Sequence, residues 1–81
     1  VFKLDSQWTC GKTEDLAKEL KTAGEDVVAV GSIDGLVMFT LWANPKTRTF
    51  TAVGTPTANP STSCIIIHGD KFTIVQPKNM I

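Results

Sequence analysis

The sequence predicts an α+β domain: one N-terminal helix packed on an antiparallel sheet of about five strands, arranged as a meander and closed by one disulfide. Three observations predict it. Apolar residues recur at helical spacing once, over residues 13–23. Strand-like segments punctuated by short turn signals fill residues 27–76. Two cysteines stand far apart, Cys10 just before the helix and Cys64 inside a strand.

Residues 1–9 carry Phe2, Leu4 and Trp8 among polar positions with no helical stripe, and read as an extended lead-in. Thr13 then offers a helix cap, and Glu14 and Asp15 sit in the first turn, where the helix dipole favours anions. Leu16, Ala17, Leu20 and Ala23 form one apolar stripe, Glu14 and Lys18 are spaced for an i,i+4 pair, and Gly24 stops the helix. Val27 to Ile33 and Leu36 to Ala43 are rich in β-branched and aromatic residues. The Asp34-Gly35 pair between them suits the two positive φ angles of a type I′ turn. A second turn at Asn44-Pro45-Lys46-Thr47 leads to a strand from Thr49 to Val53. Thr55 to Ser61, with Pro56 and Pro60, reads as a surface loop. Ser63 to His68 and Lys71 to Gln76 are expected to form the last hairpin around Gly69-Asp70, and residues 77–81 a loose tail. No repeat or linker divides the chain, so residues 1–81 are read as a single domain.

Alternation gives each strand two faces. Val37, Phe39 and Leu41 form one row of the second strand, and Leu36, Met38, Thr40 and Trp42 the other. If Cys64 and Ile66 point toward the helix, Ile65 and Ile67 point away. Both faces are therefore largely apolar, whereas one short helix covers part of one side. A curled sheet is one solution. An exposed patch at Met38, Trp42, Ile65 and Ile67 is the other, and it is the candidate interaction surface. Trp8 and Trp42 each suit the core when taken alone, and Trp42, ending a strand just before a turn, is the more exposed of the two in that reading.

Eight basic residues balance eight acidic ones with no charge run, so nothing attracts nucleic acid or an anionic membrane surface. No apolar run approaches the roughly 20 residues of a membrane span, so no membrane insertion is expected. The chain begins at Val1 rather than methionine, which is read as removal of an upstream segment, by a signal peptidase or otherwise. Two cysteines fit a structural disulfide, two buried thiols or one reactive thiol, and the disulfide is what small exported domains need.

Chemical motifs are weak. Gly11-Lys12-Thr13 resembles the end of a phosphate-binding loop, but Ser6 stands where that loop requires glycine. Cys10 at a helix start with His68 as base is a formal nucleophile pair, without a residue to orient the histidine. His68, Asp70 and Asp34 match no ligand spacing, so no metal or other cofactor is expected. Asn59-Pro60-Ser61 is barred from glycosylation by its proline.

Cys10-Gly11, the helix Glu14 to Leu20, Val28-Ala29-Val30-Gly31, Asp34-Gly35, Thr49-Phe50-Thr51 and Ser63-Cys64-Ile65-Ile66-Ile67-His68-Gly69 together carry a resemblance. The chain resembles a group of small exported bacterial proteins of unknown function with a cysteine, a short helix, glycine-punctuated strands and a second cysteine. Phe50 stands where that group usually has tryptophan. The resemblance implies export and the two-cysteine arrangement, and supplies no activity. The functional expectation is a non-catalytic binding or interaction module, secreted or periplasmic, for an unknown protein or small ligand. The alternative is a structural component that self-associates as a homodimer through a sheet face. A small cysteine-dependent enzyme comes last.

Overall fold

The computed structural model describes residues 9–73 and 75 of the 81-residue chain. They form one helix and a five-stranded antiparallel sheet: β1 (Thr9–Lys12), α1 (Thr13–Thr22), β2 (Asp26–Ile33), β3 (Val37–Ala43), β4 (Phe50–Pro56) and β5 (Thr62–Gly69). The sheet order is β1-β5-β4-β3-β2, so β2 to β5 are a meander and β1 closes its far edge against β5. The α+β class, the meander and the cross-link are as the sequence predicts. The lead-in of residues 1–8, including Trp8, and the tail 77–81 lie outside the described residues.

The helix begins without a side-chain cap, because Lys12 holds the cap position and Thr13 is already helical. Thr13 instead ties the helix start to the loop before β5: its amide donates to the Ser61 carbonyl at 2.8 Å and its hydroxyl to the Pro60 carbonyl at 2.7 Å. The helix end is a Schellman motif. Gly24, at φ +84°, donates its amide to Lys21 O and Glu25 donates to Leu20 O, satisfying two terminal carbonyls. A third, Ala23 O, accepts from Asn44 Nδ2 at 3.0 Å.

Asn44 also shapes the β3–β4 turn, its Oδ1 accepting from the amides of Lys46 and Thr47. The β2–β3 turn has Asp34 at φ 51° and Gly35 at φ 68°, closed by Leu36 N to Ile33 O at 2.8 Å. These are the two positive angles that the Asp-Gly pair predicts.

Three segments differ from expectation. β4 runs on through Thr55 to Pro56, where a proline is tolerated because the strand ends there. The segment after β5 does not return as a strand at Lys71–Thr73: Lys71 adopts φ 59°, and Phe72 leaves the sheet to bond the β3–β4 turn. The fifth strand comes instead from β1, directly before the helix.

The core lies between α1 and one sheet face, where Leu20, Trp42 and Val53 cluster with Ala17 and Ile65 packed against them. Burying each large apolar side chain contributes about 1.5–3 kcal/mol. The Trp42 indole is satisfied by donating to Thr40 Oγ1 at 3.1 Å. Cys10 and Cys64 are directly opposed in the β1–β5 ladder, with Cα atoms 4.0 Å apart and sulfurs bonded.

Candidate functional site

The register decides what each face offers. On the helix side lie Trp42 with its partners Val27 and Thr51, then Val53 with Ile65. On the other, open side lie Ile33, Val37, Phe39, Leu41, Ala52 and Ile67. A bulge between Ala52 and Val53 places Ile66 on the open side as well, where its methyl meets the backbone of Gly54. Ile65 therefore faces the helix, while Cys64, Ile66 and Ile67 face away. This reverses the assignment that put Cys64 and Ile66 toward α1.

The expected patch does not exist as one surface. Trp42 is only 8% exposed and belongs to the core, because its row faces α1 and its indole clusters there with Leu20 and Val53. Ile65 packs on that same core. Met38, 44% exposed, sits on the helix side beyond the reach of α1, and Ile67, 56% exposed, is on the opposite face. Alternation alone gave the four residues their rows but not which row the helix covers, nor the bulge that breaks the alternation in β5.

Sequence reasoning also missed a groove of about 480 Å³ at the end of the open face, lined by Asp26, Val28, Ala43, Pro45, Arg48 and Phe72 among others. Its outer wall is the segment after β5. Phe72 donates its amide to Arg48 O at 2.8 Å, and Arg48 returns two bonds, Nε to Phe72 O at 3.1 Å and its terminal nitrogen to Thr73 Oγ1. Arg48 sits at φ 65°, which aims it back along the turn. The wall is braced by packing too: the Phe72 ring lies 5.6 Å from that of Phe50. Phe50 in turn lies over its ladder partner Gly69, where an added Cβ would come within 2.8 Å of the ring. The signal in the sequence was the Phe50 and Gly69 pair, legible only once the strands are in register. The groove lining combines apolar Val28, Ala43, Pro45 and Phe72 with two charged side chains, Asp26 and Arg48. Its size falls in the range of about 300–1,000 Å³ that holds small ligands.

A second hollow, about 580 Å³, opens at the helix start between Lys12, Glu14 and Ser61. Beneath the helix start, Ser63 Oγ, itself buried, lies 2.7 Å from Thr13 Oγ1 and 2.6 Å from Thr55 Oγ1, a part-buried hydroxyl chain that fastens α1 to β4 and β5. His68 is exposed, with Nδ1 2.8 Å from Thr51 Oγ1, and Cys10 is committed to the disulfide. Their expected nucleophile pairing thus lacks a thiol in the oxidised protein. Among the described residues no three His, Cys, Asp or Glu side chains gather as metal ligands, and no helix is long and apolar enough to cross a membrane. No protein-family model matches the chain, and no curated protein or solved structure matches it significantly.

Proposed function

We propose that this protein is a non-catalytic binding module of an oxidising compartment, the bacterial periplasm or the exterior of the cell. The groove carries the reading. A mostly apolar lining that carries two charged groups, Asp26 and Arg48, suits a small molecule with an apolar body and a polar end, since the apolar side chains supply burial and the charges orientation. The braces on Phe72 support this role, because a wall held by three hydrogen bonds and a ring contact gives a ligand a surface formed in advance. The disulfide supports the compartment, as such bonds persist where thiols are oxidised.

Titration of the oxidised protein with an anilinonaphthalene sulfonate dye and a panel of small aromatic and aliphatic alcohols and amines, followed by amide chemical shifts, tests the reading. Shifts centred on Val28, Ala43 and Phe72, lost in Val28→Glu, are expected. An unperturbed groove across the whole panel overturns it.

A further inference from the structure

The two edges of the sheet are built differently. β1 is four residues long, ends in Lys12 and is fastened to β5 by the disulfide. Short length and lysine are the devices by which an edge is closed to further pairing. β2, on the opposite edge, is eight residues long, has no lysine or proline, and exposes seven of its eight residues. Val27 and Val30 stand out on its helix side and Ile33 on its open side, Val30 being 63% exposed. A bulge at Val28 bends only the first part of the strand, leaving Ala29–Ile33 in unbroken register with β3.

We infer that β2 is an interface, and that its occupant is β2 of a second copy, paired antiparallel about a two-fold axis at Gly31. The edge calls for an extended backbone with apolar side chains on both faces, and β2 is itself such a segment. A two-fold pairing satisfies both copies with one contact and closes the assembly at two. The charges agree. The chain is neutral, with eight charges of each sign, so no long-range repulsion separates two copies. An axis at Gly31 sets Val30 across from the partner's Ser32 and Ala29 across from the partner's Ile33, with no like charges opposed. Moving the axis to Val30 would set Asp26 against the partner's Asp34, which like-charge repulsion disfavours. Gly31 also carries no side chain to crowd its own copy across the axis, and nothing else of the chain stands within 4 Å of where one would be. The pairing joins the two open faces, because Ile33 lies on the same side as Val37 and Phe39. The interface shares β2 with the groove, whose lining includes Asp26 and Val28, but it is centred on Gly31 and its test variants at Val30 and Ser32 lie outside that lining, so either proposal can fail without the other.

Sedimentation equilibrium of the oxidised protein over a concentration series up to millimolar tests the inference. The mass is expected to rise from 8.8 kDa to twice that value and stop there. Val30→Lys is expected to weaken the dimer at least tenfold with an unchanged circular dichroism spectrum, while Ile67→Lys, on the open face near the other edge, leaves it intact. Ser32→Lys serves as a second edge variant should Val30→Lys lose its fold. A mass fixed at 8.8 kDa overturns the proposal. So does a dimer that survives the edge lysines, one that is lost in Ile67→Lys instead, or growth beyond two copies.

Discussion

Reducing the Cys10–Cys64 bond removes a closure that spans 54 residues and encloses α1, β2, β3 and β4. In the chain-entropy model a loop of that length holds back the unfolded ensemble by about 4 kcal/mol. A domain of this size unfolds with an entropy of about 170 cal/mol/K near 60 °C, so the loss converts to a fall in Tm of about 25 °C. The structure adds a local component in the same direction: β1 is held by only four register pairs, and the sulfur bridge is one of them. Far-ultraviolet circular dichroism melts with and without a phosphine reductant measure the shift. A parallel Cys10→Ala/Cys64→Ala variant removes any effect of free thiols. If the reduced and variant proteins melt within about 5 °C of the oxidised one, the loop-closure reasoning is wrong.

Three further outcomes are expected. Leu20→Ala removes the helix's central core side chain and costs about 3 kcal/mol in urea unfolding, because the cavity beneath α1 cannot fully collapse. Gly69→Val forces the Phe50 ring aside and with it the wall at Phe72, lowering stability by about 1–3 kcal/mol and weakening binding of dye at the groove. Glu25→Met raises stability by roughly 1 kcal/mol at neutral pH, since Glu25 is 1% exposed and its Oε1 meets no hydrogen-bond donor among the described residues. A loss of stability in that variant would mean the carboxylate has a favourable role where it is buried.

What could be read from the sequence was what is decided locally. The Asp34-Gly35 turn follows from the backbone freedom of those two residues, and the end of α1 at Gly24 from its positive φ. The Thr13 cap failed because the Pro60–Ser61 loop, distant in sequence, competes for the same groups. Lys71 to Gln76 alternates like a strand in sequence, yet a left-handed residue at Lys71 and the bonds of Arg48 divert Lys71–Thr73 across the turn. The groove depends on that diversion and could not precede it. The row of Trp42 and its suitability for the core are legible in the sequence, but the grouping of Trp42 and Ile65 with Met38 and Ile67 in one exposed patch is not borne out, because nothing in a single strand's pattern says where a helix will lie.

The placement of β1 bears on how the chain reaches this structure. β2 to β5 are joined as successive neighbours, and pairings of that kind form quickly because each closes a short loop. Among the described strands, the β1–β5 ladder pairs residues 50 to 56 positions apart, at the greatest entropic distance in the sheet. In the reduced chain that step comes last and slowly. In a chain whose cysteines are already joined, the search is done before folding starts. Refolding from denaturant is therefore faster for the oxidised than for the reduced chain, and most of the difference lies in the folding arm if β1 docks before the rate-limiting barrier. Oxidation of the two cysteines then does more than hold the folded chain together: it sets the order in which its parts come together.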